Sequence, residues 1–236
     1  MLDRLLRPRT GGAWTAVIAG SHHLRFALGE AASGGRPRLR ACGEAEFRGD
    51  AKSLAQAAQR MRVAASTRCA VLLGAGDYRF VLAEAPSVPR DELRAAMKWR
   101  LKEIIDFPIE EATYEILELP AADAAHVGRP SVYAVVARSG VLKGCVTRLD
   151  EAGMRVSVID VPETAQRNLA ALYEEENRGV ALLYLDDAGA LLTVTYRGEL
   201  YAVRRFDVAM RHILAVQGDE REEVFNRILL LSLIHI

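Results

Sequence analysis

Residues Lys102–Leu119 read KEIIDFPIEEATYEILEL. A proline sits in the middle, acids flank it on both sides, and the apolar spacing changes across it. Two readings compete. Asp106, Glu110 and Glu111 could form a carboxylate cluster for proton-transfer chemistry, or they could mark a helix giving way to a strand. Pro108 blocks a continuing helix and pushes Phe107 toward extended geometry. Upstream, in VPRDELRAAMKWRLKEII, Leu93, Met97, Leu101 and Ile104 recur at helical spacing and share one face. Pro89 and the acids after it suit a helix N-terminus. Downstream, Tyr114, Ile116 and Glu118 alternate with Glu115, Leu117 and Leu119. Neither set is purely apolar, so this strand is expected to be buried on both faces over part of its length. The junction alone explains the acids, without a catalytic pair.

Outward from this junction, strands and helices alternate. AWTAVIAG, LRFALGE and LRACGEAEF read as three successive strands of an antiparallel meander. DAKSLAQAAQRMRVAAS follows as an Ala-rich helix with Asp50 as N-cap. CAVLLGAG is a buried strand, and YRFVLAEAP is expected to pair with it. After the junction come the strand TYEILELP, a loop through Gly128, the strand SVYAVVA, and a helix, GVLKGCVTRLDEAG, closed by Gly153. MRVSVIDV leads into the helix PETAQRNLAALYEEEN. GVALLYLD, GALLTVTYRG and ELYAVRRF form a second meander, with its last turn at Arg197–Gly198. A final helix is expected from about Asp207. Alternation of this kind with attached hairpins implies an α/β fold with mixed sheets. The two meanders, near 14–48 and 180–206, hint at a duplicated unit, although no sequence repeat links them.

Composition narrows the function. The 236 residues suffice for one large domain or two small ones. Lys plus Arg (31) equals Asp plus Glu (31). A neutral chain without a basic stripe interleaved with aromatics gives no pull toward nucleic acid. Cys42, Cys69 and Cys145 are far apart and form no CxxC, so neither a disulfide framework nor a zinc ribbon is indicated, and a reducing cytoplasm fits. The opening MLDRLLRPRT lacks the apolar run of a signal peptide. It reads either as a frayed tail or as a short amphipathic piece resting peripherally on a membrane. GxSxG, Walker-type and HExxH motifs are all missing from the sequence.

Three stretches in order carry a resemblance. ELRAAMKWRLKEIIDFPIEEATYEILELP, VSVIDVPETAQRNLA and LLTVTYRGELYAVRRF resemble segments of type IV pilus assembly proteins of the PilM kind. The detail around Trp99–Lys102 and IDVPETAQRNL looks closest to the MshI branch, which serves the MSHA-type pilus. The resemblance covers roughly residues 12–227. It implies an actin-like (ribonuclease-H-like) fold of two lobes: residues 12–160 as the first, with an inserted subdomain at about 86–130, and 161–227 as the start of the second. It also implies a place at the cytoplasmic face of the inner membrane. There the protein would bind a short cytoplasmic N-terminal peptide of a bitopic, PilN-like partner, alongside other platform proteins.

Typical members hold ATP and Mg²⁺ between two phosphate loops, each a hairpin turn of the form Asp-x-Gly-[Ser/Thr]. In AVIAGSHHLRF, aligning Gly20-Ser21 with the loop leaves Ile18 where the aspartate belongs and Arg25 where a lysine is common. Isoleucine cannot hold Mg²⁺ through water. In LLYLDDAGALLTV, counting back from RGEL places Tyr184 at the aspartate and Asp186 at the glycine. A slip of two makes Asp186 the aspartate but puts Ala188 at the glycine. A slip of three gives a literal Asp187-Ala188-Gly189 in a shortened hairpin. Gly20, Ser21, Arg25 and Asp186 are therefore the degenerate phosphate-loop positions. A non-catalytic scaffold without cofactor or metal is expected. The alternatives are an active actin-like ATPase of the same pilus system, or the cytoplasmic domain of a GspL-like type II secretion protein.

Other polar residues have plainer readings. His22 and His23 point to opposite sides of a strand and read as turn residues. Asp160, before Pro162–Glu163, reads as a helix cap or first-turn acid. Asp186–Asp187 read as a solvated pair, and one of Arg204 and Arg205 is expected to meet an acid. From Ile228 the chain turns apolar. Residues 228–236 are too short to cross a bilayer and are expected to be a non-native tail on a truncated second lobe.

Overall fold

The computed structural model describes residues 13–19, 23–31, 36–46, 48–60, 68–120, 130–186 and 189–233. The chain divides into two compact units, residues 1–118 with 127–161, and residues 119–126 with 162–236.

The first unit opens with β1 (Ala13–Ala19), β2 (His23–Ala31) and β3 (Pro37–Glu46), paired antiparallel in sequence. α1 (Ala51–Arg60) then crosses to β4 (Arg68–Leu72), which runs parallel to β1, and β8 (Val156–Asp160) lies parallel beyond it. The sheet order is β3-β2-β1-β4-β8. The Asp50 carboxylate starts α1 by accepting from the Ser53 N–H (2.8 Å) and the Ser53 hydroxyl (2.9 Å). α3 (Ser139–Glu151) packs beside α1. It ends in a Schellman motif. Gly153, at φ 79°, donates to the Asp150 carbonyl, and the Met154 N–H donates to that of Leu149. Leu54, Ala57 and Ala58 of α1 meet Cys145 and Leu149 of α3 over Val17, Leu24, Cys69 and Val71 of the sheet. Burial pushes the Cys69 thiol up to about 11 and that of Cys145 upward too. Both stay protonated and serve as small core hydrophobes.

A second sheet of this unit has the order β5-β7-β6: β5 (Tyr78–Glu84), β7 (Ser131–Arg138) and β6 (Ala112–Glu118), all antiparallel. The expected pairing of YRFVLAEAP with CAVLLGAG is thus replaced by pairing with β7. α2 (Leu93–Ile104) covers this sheet with Leu93, Met97 and Leu101. Ile104, expected on the same buried stripe, is 47% exposed at the last helical position. β6 is an edge strand. Ala112, Tyr114 and Ile116 pack under α2, while Thr113 and Glu115 are exposed on the other face. Burial reaches the other face only at Leu117, which is half-buried like Tyr114 and Ile116, because an edge strand beneath one helix has mainly one face to cover.

The second unit repeats the meander. β9 (Val180–Asp186), β10 (Gly189–Tyr196) and β11 (Glu199–Phe206) pair antiparallel in the order β11-β10-β9. Arg197 and Gly198, both at positive φ (53° and 73°), make the two-residue turn whose twist suits a hairpin. α4 (Pro162–Ala170) lies on β10 and β11. The continuous final helix expected from Asp207 is two helices, α5 (Met210–Leu214) and α6 (Asp219–Leu233), separated by a bend at Gly218 with φ 56°. Phe206, Val208, Ile213 and Ile228 form the core there.

Candidate functional site

The junction quoted above forms one wall of a cleft in the first unit. α2 stops where Pro108 cannot continue it, and Ile105 at its C-cap is already extended (φ −85°, ψ 152°). One turn of 3₁₀ helix at Ile109–Glu111 buries Ile109 and leads into β6. The cleft, about 190 Å³, has Val136 and Ala137 of β7 beneath it. Asp106 and Phe107 line one side, Gly76–Arg79 another, and Arg138 and Val141 the third. The Arg138 guanidinium lies 4.2 Å from the Phe107 ring centroid and 3.4 Å from the Glu111 carboxylate. Arg79 stands 3.7 Å from Asp106. Asp77 accepts from the Gly74 N–H at 3.2 Å, holding the turn before β5. The cleft thus offers an apolar floor with both signs of charge on its rim.

The acids of the junction do not converge. Asp106 faces Arg79, Glu111 faces Arg138, Glu115 faces Arg94 (3.2 Å) and Glu118 faces Arg90 (2.7 Å). Each of these four meets its own arginine at an exposed edge, and Glu110 is exposed. Among the described residues, no three His, Cys, Asp or Glu side chains are grouped as a metal would need.

The degenerate phosphate-loop positions are divided between the two units. In the first, Gly20 and Ser21 lie outside the described residues, as does His22. Ile18 pairs with Arg25 across the hairpin, one step before the last pair, Ala19 with Leu24. Arg25 is turned to Glu44 of β3 (3.4 Å), which also faces His23 at 3.2 Å. In the second unit Asp186 and Gly189 form the last pair, and residues 187–188 lie outside the described residues. Tyr184 pairs with Leu191, within the strand and away from the turn. Asp186 accepts from the Gly189 N–H at 3.1 Å. Gly189 has φ 143°, and a Cβ there would come within 2.8 Å of the Phe206 carbonyl oxygen. The glycine of the literal Asp-x-Gly is therefore required by the packing of β10 on β11.

The most buried polar cluster lies under α4. Glu163 is fully buried and accepts from Arg205 Nη2 (2.7 Å) and Nε (3.0 Å) through one carboxylate oxygen. Thr193 donates to the Gln166 side chain at 2.9 Å, and Gln166 donates to the Leu191 carbonyl at 3.4 Å. These bonds fix α4 against β10 and β11. Reading the sequence anticipated an acid for one of the two arginines. It missed Gln166 and Thr193, whose polarity gives no hint of burial. Asp160 turns its carboxylate back to the next N–H, that of Val161 (2.8 Å).

No protein-family profile matches the chain, and no curated protein matches it. Solved structures do. A chain of the PilM–PilN type IV pilus biogenesis complex aligns with a TM-score of 0.67 and 19% identity, over 95% of this chain and 74% of that one. The cytoplasmic domain of EpsL, an inner membrane component of the type II secretion system of Vibrio cholerae, aligns with a TM-score of 0.58 and 16% identity, over 88% and 76%. A Bacteroides thetaiotaomicron protein with an actin-like ATPase fold and unknown function gives 0.49 at 8% identity, over 93% and 88%. At these identities the likeness speaks for the fold. This chain shares the α/β fold with mixed sheets of the PilM–PilN complex chain and of the EpsL domain. No described helix is long and apolar enough to cross a membrane.

Proposed function

We propose that this chain is a non-catalytic component of a type IV pilus assembly platform, of the MSHA-like (MshI) kind, at the cytoplasmic face of the inner membrane. Its task is binding. The first-unit cleft takes a short N-terminal peptide of a bitopic, PilN-like partner, with apolar residues over Val136 and Ala137. The partner's amine or basic groups meet Asp77 and Asp106, and its carbonyls meet Arg79 and Arg138. The carrying observation is the contrast between this open cleft and the second hairpin, where Asp186 and Gly189 are both used by their own turn. With Ile18 at the other aspartate position and Asp186 bonded to its own Gly189 N–H, the reading calls for neither ATP nor metal.

A GspL-like role in type II secretion is the second reading, favoured by the likeness to the EpsL domain. One experiment tests the first reading. The purified chain is titrated with the N-terminal peptide of the neighbouring bitopic protein, then with Mg-ATP while phosphate release is followed. Peptide binding that Arg138→Glu weakens at least tenfold, with no phosphate release, is the expected result. Turnover would establish the ATPase instead. No complex between well-folded partners would remove the platform assignment.

A further inference from the structure

Phe107 is fixed in the cleft wall by its neighbours in sequence and in space. Pro108 after it confines its backbone to extended geometry. Its half-buried ring packs against the cluster that holds Leu93, Met97, Leu101 and Val136. The Arg138 guanidinium lies over the ring at 4.2 Å, and Glu111 holds that guanidinium at 3.4 Å. Phe107, Pro108 and Glu111 of the stretch DFPIEE thus set one wall together. Val141, in the first turn of α3, lines another side, and the floor is Val136 and Ala137, both buried.

The rim discriminates weakly by charge. Arg79 faces Asp106 at 3.7 Å, Arg138 faces Glu111, and Asp77 accepts from the Gly74 N–H. Exchanging one exposed ion pair for another gains little, which leaves the choice of ligand to the apolar walls. Size then decides. The cleft holds about 190 Å³, room for roughly six waters at ~30 Å³ each. Small-molecule sites run to about 300–1,000 Å³. One branched aliphatic side chain fills the space between Phe107, Val141 and the floor. An alanine there would leave a void without partner atoms, and an indole would force the walls apart.

We infer that Phe107 sets the specificity of the cleft: with Val141 it limits the bound peptide to one anchor of leucine or isoleucine size. The inference rests on the peptide-binding proposal and adds the residue that chooses among peptides.

The test titrates the full chain with the N-terminal peptide of the neighbouring bitopic protein and with a set in which each apolar residue of that peptide is replaced in turn by Leu, Ala and Trp. The expected result is one position where Leu binds about tenfold tighter than Ala or Trp, the scale on which an apolar pocket tells side chains apart. Phe107→Ala should reverse the order there, so that Trp binds tighter than Leu. Arg138→Lys keeps the charge but loses the planar stack, and should narrow the gap between Leu and Trp. Because Phe107→Ala also removes core packing, Val141→Phe serves as a second variant. Val141 is 36% exposed, so circular dichroism should show an unchanged fold. The Leu peptide should lose about tenfold in affinity for it, while the Ala peptide loses little. A parent that binds the peptide with no leucine-preferring position overturns the inference and leaves the peptide-binding proposal standing. So does an order that Phe107→Ala and Val141→Phe both leave unchanged. A parent that binds no peptide at all removes both.

Discussion

The two antiparallel meanders, β1–β3 and β9–β11, are built alike and end their first hairpins differently. In the first, four residues, 20–23, lie between the last paired positions, and the side chain at Ile18 is apolar. In the second only two do, and Asp186 closes the turn by accepting from Gly189. The difference shows two ways for a hairpin to end: one carries the apolar Ile18 in the pair before its last, and the other closes on a carboxylate that accepts from its own backbone. The helices that follow differ as well. α1 is started by the Asp50 carboxylate, whereas α5 is started by His212 Nδ1 accepting from the Ala209 N–H at 3.2 Å.

The largest way to break this comparison is at Glu163. Its carboxylate is fully buried, and its partner Arg205 is 42% exposed. Glu163→Ala should destabilise the second meander by about 3 kcal/mol, the low end for a broken buried pair because water reaches the arginine. Urea unfolding read by hydrogen exchange should show amides of β10 and β11 losing protection while those of β1 and β2 keep theirs. Equal losses in both meanders would mean that the pair does not act locally.

A smaller change is expected at the shortened turn. Asp186→Asn keeps an acceptor but removes its charge, and should cost about 1 kcal/mol. Calorimetry with Mg-ATP should give the same trace for the variant and the parent. A nucleotide signal that disappears in the variant would return Asp186 to a ligand role.

The smallest effect tests the cap of α1. Hydrogen bonds from the Ser53 backbone and hydroxyl hold the Asp50 carboxyl below its ordinary value of 3.8. A depressed folded-state value stabilises the fold above 3.8 and loses that contribution as pH falls through the folded value. Asp50→Ala should therefore lower the melting temperature at neutral pH, and the gap to the parent should close below pH 3.8. A gap that persists in acid would assign the cap to neutral hydrogen bonds.

Much of the fold was legible because it is written in local chemistry. Pro108, Asp50, Gly153 and Arg197–Gly198 each mark an element's end by a backbone rule that needs no neighbour. Both meanders follow from alternation and turns. Partnership was less legible. The pairing of β5 with β7 instead of β4 joins segments about fifty residues apart, and periodicity says nothing about which strand lies alongside. The split of the last helix at Gly218 was missed because a single glycine is tolerated within many helices. Of the candidate site, the degenerate turn residues were visible as departures from a pattern. The cleft was not, since its lining comes from four stretches of chain, each with an ordinary local role.

By itself, then, the sequence determined most of the element types and ends, and the residue identities at the two hairpins, with Ile18 in one and Asp186 in the other. Those depend on which atoms a residue carries and on the φ it tolerates. Tertiary structure alone decided that Asp106, Glu111, Glu115 and Glu118 each meet a separate arginine, that Gly189 is required by the Phe206 carbonyl, and that Glu163 is sealed under α4. Those facts are distances between residues far apart in the chain. They are fixed only when burial of the apolar faces sets which sheet each strand joins.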